Sequence, residues 1–418
     1  MTRFACIGSA CEETCCGGGW SIAVDEPHHR ALTKAMSGTP EERAELAAAL
    51  EPAASTEAKK KAPFRLKLVD DGSCTFLQPD RLCSIYRRYG DDAVPNACAI
   101  FPRHVSVIGD RVELAGTLAC PEAARLALLA DDAFNLDVFD PSTLPRQCAT
   151  IELALGGAYE SCFDYVRFTA LEIMGRRDLP LGVRLFLCAY FGERTKGFFH
   201  RGATALDADR LAKEIALVLN PAVGEKWRGV LGAVRTQGPR AGQVLIHALR
   251  ERLAASSRVS SLPELLRTVV ANLVAAGAGV LQEGSETYDL DPGKLLAVHA
   301  RRRDAWETSH GPVIERALTN LARQFWMKEP YLQSPDLLVH AQKLILRMAL
   351  VRFLLFSHPL LVDAPADPDT AVERAVVDVV QKLARTMEHD SGFAAALDQL
   401  LADLQLETLA QAVFLLAV

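Results

Sequence analysis

The sequence predicts a mainly α-helical protein, in which a small, irregular α+β region rich in cysteine precedes a multi-helix domain. Two observations lead to this prediction. Eight of the 11 cysteines lie within the first 120 residues, and apolar residues at helical spacing dominate the remainder. Because 418 residues are long for one compact unit, we predict two domains. Residues 1–130 form the cysteine-rich, metal-binding region, and residues 131–418 form the all-helical domain.

The N-terminal region contains signals for short elements. Thr39, Pro40 and Glu42 form a capping box with proline at the first helical position, which predicts a helix through about Leu50. The alternation in "FRLKLVDDGSC" predicts a strand over residues 64–68 that enters a turn. In "HVSVIGDRVEL", two alternating apolar pairs flank Gly109-Asp110, and this pattern predicts a β-hairpin.

After Cys120 the pattern is helical almost throughout. Pro121, Pro263, Pro292 and Pro335 each stand where a proline can begin a helix, because its missing N–H costs little in the first turn. Residues 369–388 and 393–413 carry apolar side chains at helical spacing. No fixed repeat period is present, so a solenoid is not indicated.

Charge and hydropathy exclude several classes of protein. The net charge of −6 gives no sign of nucleic-acid binding. The apolar stretch "LLVHAQKLILRMALVRFLLF" includes His340, Lys343 and Arg347, which are expensive in hydrocarbon, so we predict a buried helix and no membrane span. The first residues lack the apolar run of a signal peptide. We therefore expect a cytoplasmic protein, whose thiols stay reduced.

The clustered cysteines are the candidate metal ligands. Disulfides are disfavoured in the reducing cytoplasm. The sequence also lacks the pairs of cysteines separated by two residues that are typical of a zinc knuckle. Iron–sulfur clusters accept more varied spacing and take four cysteines each, which favours an iron–sulfur cluster, and we expect one of the 4Fe–4S type. Some of the thiols could instead be buried apolar groups, and we expect this for the three cysteines after residue 120. The eight candidate ligands are Cys6, Cys11, Cys15, Cys16, Cys74, Cys83, Cys98 and Cys120.

Four ordered blocks carry a resemblance to a known family. They are "FACIGSACEETCCGGGWSIAVD", "DGSCTFLQPDRLCSIYRRYG", "NACAIFPRHV" and "ACPEAARLALL", and together they cover about the first 130 residues. This region resembles the flagellin lysine-N-methylase family. The resemblance implies methyl transfer from S-adenosylmethionine to lysines of flagellin, a helical protein, by a protein that carries an iron–sulfur cluster. The family's CxxxCxxCC-like spacing is altered here, which leaves open which four thiolates share a cluster.

The resemblance also supplies candidate site residues. Trp20, Asp25 and Arg103 are candidates for binding the cofactor. Arg103 and Glu122 are candidates for catalysis, since a cation and an anion can orient a zwitterionic cosubstrate. Tyr86 is a third catalytic candidate, because its hydroxyl or ring could serve the acceptor amine, which must be neutral to react. We expect the site at the seam between the two domains.

The sequence does not indicate how S-adenosylmethionine binds. A conventional nucleotide-binding turn would follow a strand, and the nearest match, "IELALGGAYE", has the wrong spacing. A C-x3-C-x2-C signature fails because Gly18 stands at its third position. Two alternatives therefore remain. One is a non-enzymatic metal-binding or maturation protein whose helical domain docks a partner, and the other is a redox enzyme that uses the cluster for electron transfer.

Overall fold

The structure is a computed structural model of the chain. It describes residues 3–146, 148–233, 241–247, 261–282, 288–362, 365–387, 399, 402–403, 408–416 and 418. Helices dominate these residues, and the prediction of a mainly α protein with a mixed N-terminal region is confirmed.

The N-terminal region begins with a small sheet and three helices. Strands β1 (Ala23–Val24), β2 (Leu50–Pro52) and β3 (Phe64–Leu66) form an antiparallel sheet with β3 in the centre. The helices are α1 (Glu26–Ala35), α2 (Pro40–Ala49) and α3 (Thr56–Lys61). The predicted capping box is present at α2, where Thr39 accepts from the Glu42 backbone N–H and Glu42 accepts from that of Thr39. The predicted strand over residues 64–68 is β3.

A second sheet follows two short helices, α4 (Ser84–Tyr89) and α5 (Asn96–Ile100). Strands β4 (Arg103–Ile108) and β5 (Arg111–Gly116) form the predicted hairpin, in which Val107 pairs with Val112. Helix α6 (Pro121–Leu129) comes next, and then β6 (Ile151–Leu153) pairs with β4 in parallel. The domain boundary at residue 130 stays a prediction. Strand β6 lies after that boundary, although it pairs with β4, which lies before it.

In the described residues beyond β6 the chain is mainly helical, with one short hairpin formed by β7 (Gly279–Leu281) and β8 (Tyr288–Leu290). The helices are α7 (Phe163–Gly175), α8 (Leu181–Thr195), α9 (Ala208–Leu219), α10 (Pro221–Ala233), α11 (Leu262–Ala275), α12 (Pro292–Lys328), α13 (Leu337–Leu355), α14 (Pro359–Val362), α15 (Pro368–Met387) and α16 (Leu409–Leu416).

Helix α12 is kinked at His310, two residues before Pro312, because a proline interrupts the backbone hydrogen bonding. The predicted starts at Pro121, Pro263 and Pro292 lie in first helical turns, whereas Pro335 precedes Asp336, which caps α13. Residues 369–387 lie in α15, whereas residue 388 and most of 393–413 lie outside the described residues.

Helix α13 is the centre of the larger hydrophobic core, and nearly all of its side chains are buried. This confirms the prediction of a buried helix at residues 337–356. It packs closely on α8, where a Cβ atom at Gly192 would lie 2.3 Å from the Leu338 backbone nitrogen. None of the described helices is both long enough and apolar enough to cross a membrane.

The buried apolar side chains form two separate cores. The smaller one consists of side chains between Val24 and Val94. The larger one includes Ile108, Leu118 and Leu128 together with the C-terminal helices. The β4–β5 hairpin and α6 therefore pack with the helical part of the chain, and this brings the N-terminal cysteines next to α12, α13 and α15.

Candidate functional site

A cavity of about 1650 Å³ lies between the cysteine-rich region and the helices. The eight candidate cysteines all line it: Cys6, Cys11, Cys15, Cys16, Cys74, Cys83, Cys98 and Cys120. Of the others, Cys162 and Cys188 are buried and Cys148 is half-buried, and none of the three lines the cavity. The structure thus brings together the thiols that the sequence separates by up to 114 positions.

Three of these thiols interact through Cys16, which neighbours both Cys15 and Cys83. Hydrogen bonding with Cys16 lowers the pKa of Cys15 to about 7 and the pKa of Cys83 to about 6, and it raises the pKa of Cys16. The arrangement favours the thiolate of Cys83 at neutral pH and makes Cys15 easier to ionise than a free thiol. The thiolate is the form of cysteine that binds a metal.

The other five thiols surround this contact. Burial raises the pKa of Cys74, and the nearby Cys83 and Cys15 raise it further. Cys98 lies within electrostatic range of Cys74 and Cys83. Burial also raises the pKa of Cys120 to about 11, with further contributions from Cys11 and Cys15. Cys6 neighbours Cys11.

By their electrostatic neighbours the thiols divide into two sets, and Cys15 influences members of both. One set contains Cys16, Cys74, Cys83 and Cys98, and the other contains Cys6, Cys11 and Cys120. Within the described ranges, no group of three or more histidine, cysteine or acidic side chains has the arrangement of a ready metal site. The donor set is nevertheless rich in thiols that line one cavity, and deprotonated thiols are the soft ligands that an iron–sulfur cluster takes.

Local hydrogen bonds hold the cysteines in place. Residues Cys15–Gly17 form a single 3₁₀ turn, and the Thr14 hydroxyl accepts from the Cys16 backbone N–H at 3.2 Å. The Cys74 backbone N–H donates to the Cys16 carbonyl at 2.8 Å, which joins the two cysteine-bearing segments. Cys83 and Cys120 stand at the N-caps of α4 and α6.

A partly buried ion pair attaches the first cysteine segment to the C-terminal helices. The carboxylate of Glu13 pairs with Arg385 of α15 and also accepts from Gln381 at 3.2 Å and from the Ser261 hydroxyl at 2.6 Å. Arg385 donates to the Thr14 carbonyl at 2.9 Å, and its guanidinium lies 5.3 Å from the ring centre of Trp20. The helical domain therefore determines where residues 13–20 lie.

One side of the cavity is lined by charged and polar residues from the end of α12 and from α13. We call this set the cationic wall: Lys328, Glu329, His340, Lys343 and Arg347. Lys328 pairs with Glu329 at 3.2 Å. Burial would raise the pKa of Glu329, but Lys328 and Arg347 lower it to about 2. The wall carries three cations and one carboxylate, so this side of the cavity favours an anionic group.

The predicted non-cysteine residues fall into two groups. Trp20, Tyr86 and Arg103 line the cavity, and Arg103 is the first residue of β4. Asp25 and Glu122 do not line it. Asp25 caps α1 by accepting from the His28 backbone N–H at 2.9 Å, and Glu122 pairs with Arg125 one turn along α6. Glu122 therefore lies outside the cavity that Arg103 lines, and the role of the two residues toward a cosubstrate stays a prediction.

The sequence interpretation missed the helical contribution to the site. The signal was present in the polar residues of the otherwise apolar stretch at 337–356, where His340, Lys343 and Arg347 recur at positions that share one helical face. Glu13 and Arg385 are 372 positions apart, and no local pattern indicates their pairing.

Comparison with known proteins agrees with the resemblance noted above. Residues 167–415 match the family described as the FliB lysine N-methylase C-terminal domain. A lysine-N-methylase of Salmonella typhimurium is 32% identical over 137 residues, which are 32% of this chain and 33% of that protein. The flagellar biosynthetic protein FliU of Salmonella muenchen is 31% identical over 137 residues, which are 32% of this chain and 78% of that protein.

The aligned stretch thus spans about a third of the Salmonella typhimurium lysine-N-methylase. No solved structure matches the chain. The family match extends over more than half of the 418 residues, from within α7 to within α16. It covers the helical domain, and the cysteine blocks lie before it. On this evidence the chain belongs to the FliB lysine N-methylase family.

Proposed function

We propose that this protein is a protein lysine N-methylase, which transfers methyl groups from S-adenosylmethionine to lysines of flagellin or a similar helical protein. The observation that carries the proposal is the cavity at the seam, where eight thiols and a cationic wall meet in a chain of this family. The relatives' names, lysine-N-methylase and flagellar biosynthetic protein, support the reaction class and the flagellar substrate. The proposal places the reaction in the cytoplasm.

The reaction sets two requirements for the cavity. S-adenosylmethionine supplies a methyl group on a sulfonium sulfur, and its transfer breaks a carbon–sulfur bond while it forms a carbon–nitrogen bond. The acceptor lysine must first lose its ammonium proton, because a protonated amine has no lone pair to attack with. The cavity must therefore bind the donor and favour a neutral amine.

The charges of the cavity favour a neutral amine. Lys328, Lys343, Arg347 and Arg103 all line it. Nearby positive charges disfavour the protonated form of an inserted lysine and lower its pKa. Tyr86, which is 59% exposed and lines the same cavity, offers a hydroxyl that can accept a hydrogen bond from the entering amine.

The thiols are suited to hold an iron–sulfur cluster, which supplies a redox-active centre when it is bound. Cys16 already neighbours Cys15 and Cys83, and Cys74 is the nearby thiol that would complete a set of four. Cys98 would be an alternative fourth ligand, because it lies near Cys74 and Cys83. Ligation would deprotonate Cys16, although hydrogen bonding to Cys15 and Cys83 raises the pKa of its thiol.

The test is a methyl-transfer assay with purified flagellin, S-adenosylmethionine and protein purified without oxygen, read by mass spectrometry of flagellin peptides. We expect methyllysine only when all three components are present. In Arg103→Gln we expect transfer to fall at least tenfold, with unchanged iron content and helicity, because a charged hydrogen bond is worth about 1.5–3 kcal/mol. Arg301→Gln is the matched control, since Arg301 is exposed and does not line the cavity.

Two outcomes would contradict the proposal. If the protein binds iron but methylates no flagellin, a non-enzymatic metal-binding or maturation role accounts better for the thiols. If Arg103→Gln retains full activity, or loses its iron, Arg103 has no direct role toward substrate or cosubstrate.

A further inference from the structure

The cationic wall is built from two consecutive helices. Lys328 is the last residue of α12, and Glu329 follows it. His340, Lys343 and Arg347 lie on α13 at spacings of three and four residues, which places them on one face of the helix. The face points into the cavity, since all three residues line it. The helix pair thus presents its charges together to the same space as the cysteines.

Arg347 is the half-buried cation of this wall. Its guanidinium lies 5.3 Å from the ring centre of Phe325. Within the part of the chain that the structure describes, it forms no hydrogen bond and no ion pair. The nearby carboxylate of Glu329 is engaged by Lys328 at 3.2 Å. A guanidinium presents a planar fork of donors that matches a carboxylate, so Arg347 can bind an anionic group without breaking an existing pair.

His340 supplies the second, independent observation. Its side chain is 3% exposed and packs against Phe325 and Trp326, with ring centres 4.7 Å apart in both cases. Nδ1 lies 3.3 Å from the Ser334 hydroxyl oxygen, whereas Nε2 is buried and has no partner among the described residues. Buried polar atoms are almost always hydrogen-bonded, so this nitrogen of a cavity-lining side chain has a hydrogen-bonding capacity that a ligand can use.

We propose that Arg347 and His340, supported by Lys343, form a subsite that binds the carboxylate of the methyl donor's amino-acid end. Arg347 donates from its guanidinium, Nε2 of His340 donates as the protonated nitrogen of a neutral ring, and Lys343 adds positive charge. The inference rests on the proposed function, because it assigns one end of S-adenosylmethionine to this wall. The apolar remainder of the cavity, with Trp20 and Phe101 in edge-to-face contact at 5.1 Å, is left for the adenosyl end.

Two probes separate the carboxylate from the rest of the donor. S-adenosylhomocysteine keeps the amino-acid end and has a neutral sulfur, whereas methylthioadenosine lacks that end altogether. Binding of both to the full chain, purified without oxygen, is measured by titration calorimetry for wild type, Arg347→Gln, Arg347→Lys and the exposed control Arg301→Gln. Iron content and helicity are recorded for each variant, so that a misfolded protein is recognised.

We expect Arg347→Gln to weaken S-adenosylhomocysteine binding about tenfold to hundredfold, as the loss of a charge-assisted hydrogen bond requires. Methylthioadenosine binding should change less than about twofold, because that probe has no carboxylate. Arg347→Lys should keep part of the affinity, since it keeps the charge and loses the fork. Arg301→Gln should bind both probes like wild type.

Equal losses for both probes would overturn the inference, and so would unchanged binding of S-adenosylhomocysteine to Arg347→Gln. A variant that binds the probe normally but needs more flagellin for half-maximal rate would also overturn it, because the carboxylate would then come from the protein substrate. The proposed function fails differently: in that case the wild-type chain binds neither S-adenosylmethionine nor S-adenosylhomocysteine.

Discussion

Replacing Arg385 with methionine should release the first cysteine segment from the helical domain. Arg385 is 8% exposed, pairs with Glu13 and donates to the Thr14 carbonyl at 2.9 Å. Methionine keeps most of the side-chain volume but provides no donor. The substitution leaves the carboxylate of Glu13 with the weaker bonds from Gln381 and Ser261.

The size of the effect follows from these contacts. Breaking a buried ion pair by removing one partner costs about 3–5 kcal/mol. Since two neutral donors still contact Glu13 and its side chain is 21% exposed, we expect the lower end, about 3 kcal/mol, for the opening of residues 11–17. That value corresponds to an opening equilibrium about 150 times larger. Arg385 is not one of the apolar side chains of the larger core, so the helices should unfold at nearly the wild-type denaturant concentration.

Amide hydrogen exchange measures this opening directly, because exchange in a locally unfolding segment scales with the opening equilibrium. The informative amides are those of Cys16 and of Cys74, which donates to the Cys16 carbonyl at 2.8 Å. Arg374→Met is the control, since Arg374 is an exposed residue of the same helix. The reasoning is refuted if Arg385→Met exchanges at the control rate, or if its iron content equals that of the control.

Three further predictions concern the thiols and the helix packing. Cys15→Ala should lower the iron content measured after anaerobic purification. Cys188→Ala should keep it, because Cys188 is buried away from the cavity. Equal iron content in both variants would contradict the role of Cys15 as a ligand. In metal-free protein, hydrogen bonding from its neighbour lowers the pKa of Cys83 to about 6. The thiolate of Cys83 therefore predominates above about pH 6. Alkylation of Cys83, mapped by mass spectrometry, should decline only below that pH. The buried Cys188 should stay unmodified throughout. Gly192→Ala should destabilise the fold by about 1–3 kcal/mol in urea unfolding, because its Cβ atom would lie 2.3 Å from a backbone nitrogen of α13. Gly197→Ala, whose Cβ atom would contact nothing within 4 Å, is the control, and similar losses in both variants would argue against close packing at α8.

The sequence by itself determined the local elements and the chemistry available to the site. The capping box at Thr39 and the hairpin around Gly109 are recognisable because their hydrogen bonds join residues a few positions apart. The buried helix at residues 337–356 was predictable because its polar residues exclude a membrane span. The candidate ligands were also recognisable at this level, since eight thiols crowd the first 120 residues.

Only the tertiary structure decided which of these residues share the cavity. Asp25 and Glu122 satisfy their charges locally, one at a helix cap and one with Arg125, so they do not line the cavity. The contact of Cys16 with Cys83, and the pairing of Glu13 with Arg385, join residues far apart in the chain. Such contacts depend on how the two cores pack, and packing is a property of the whole chain that no local pattern encodes.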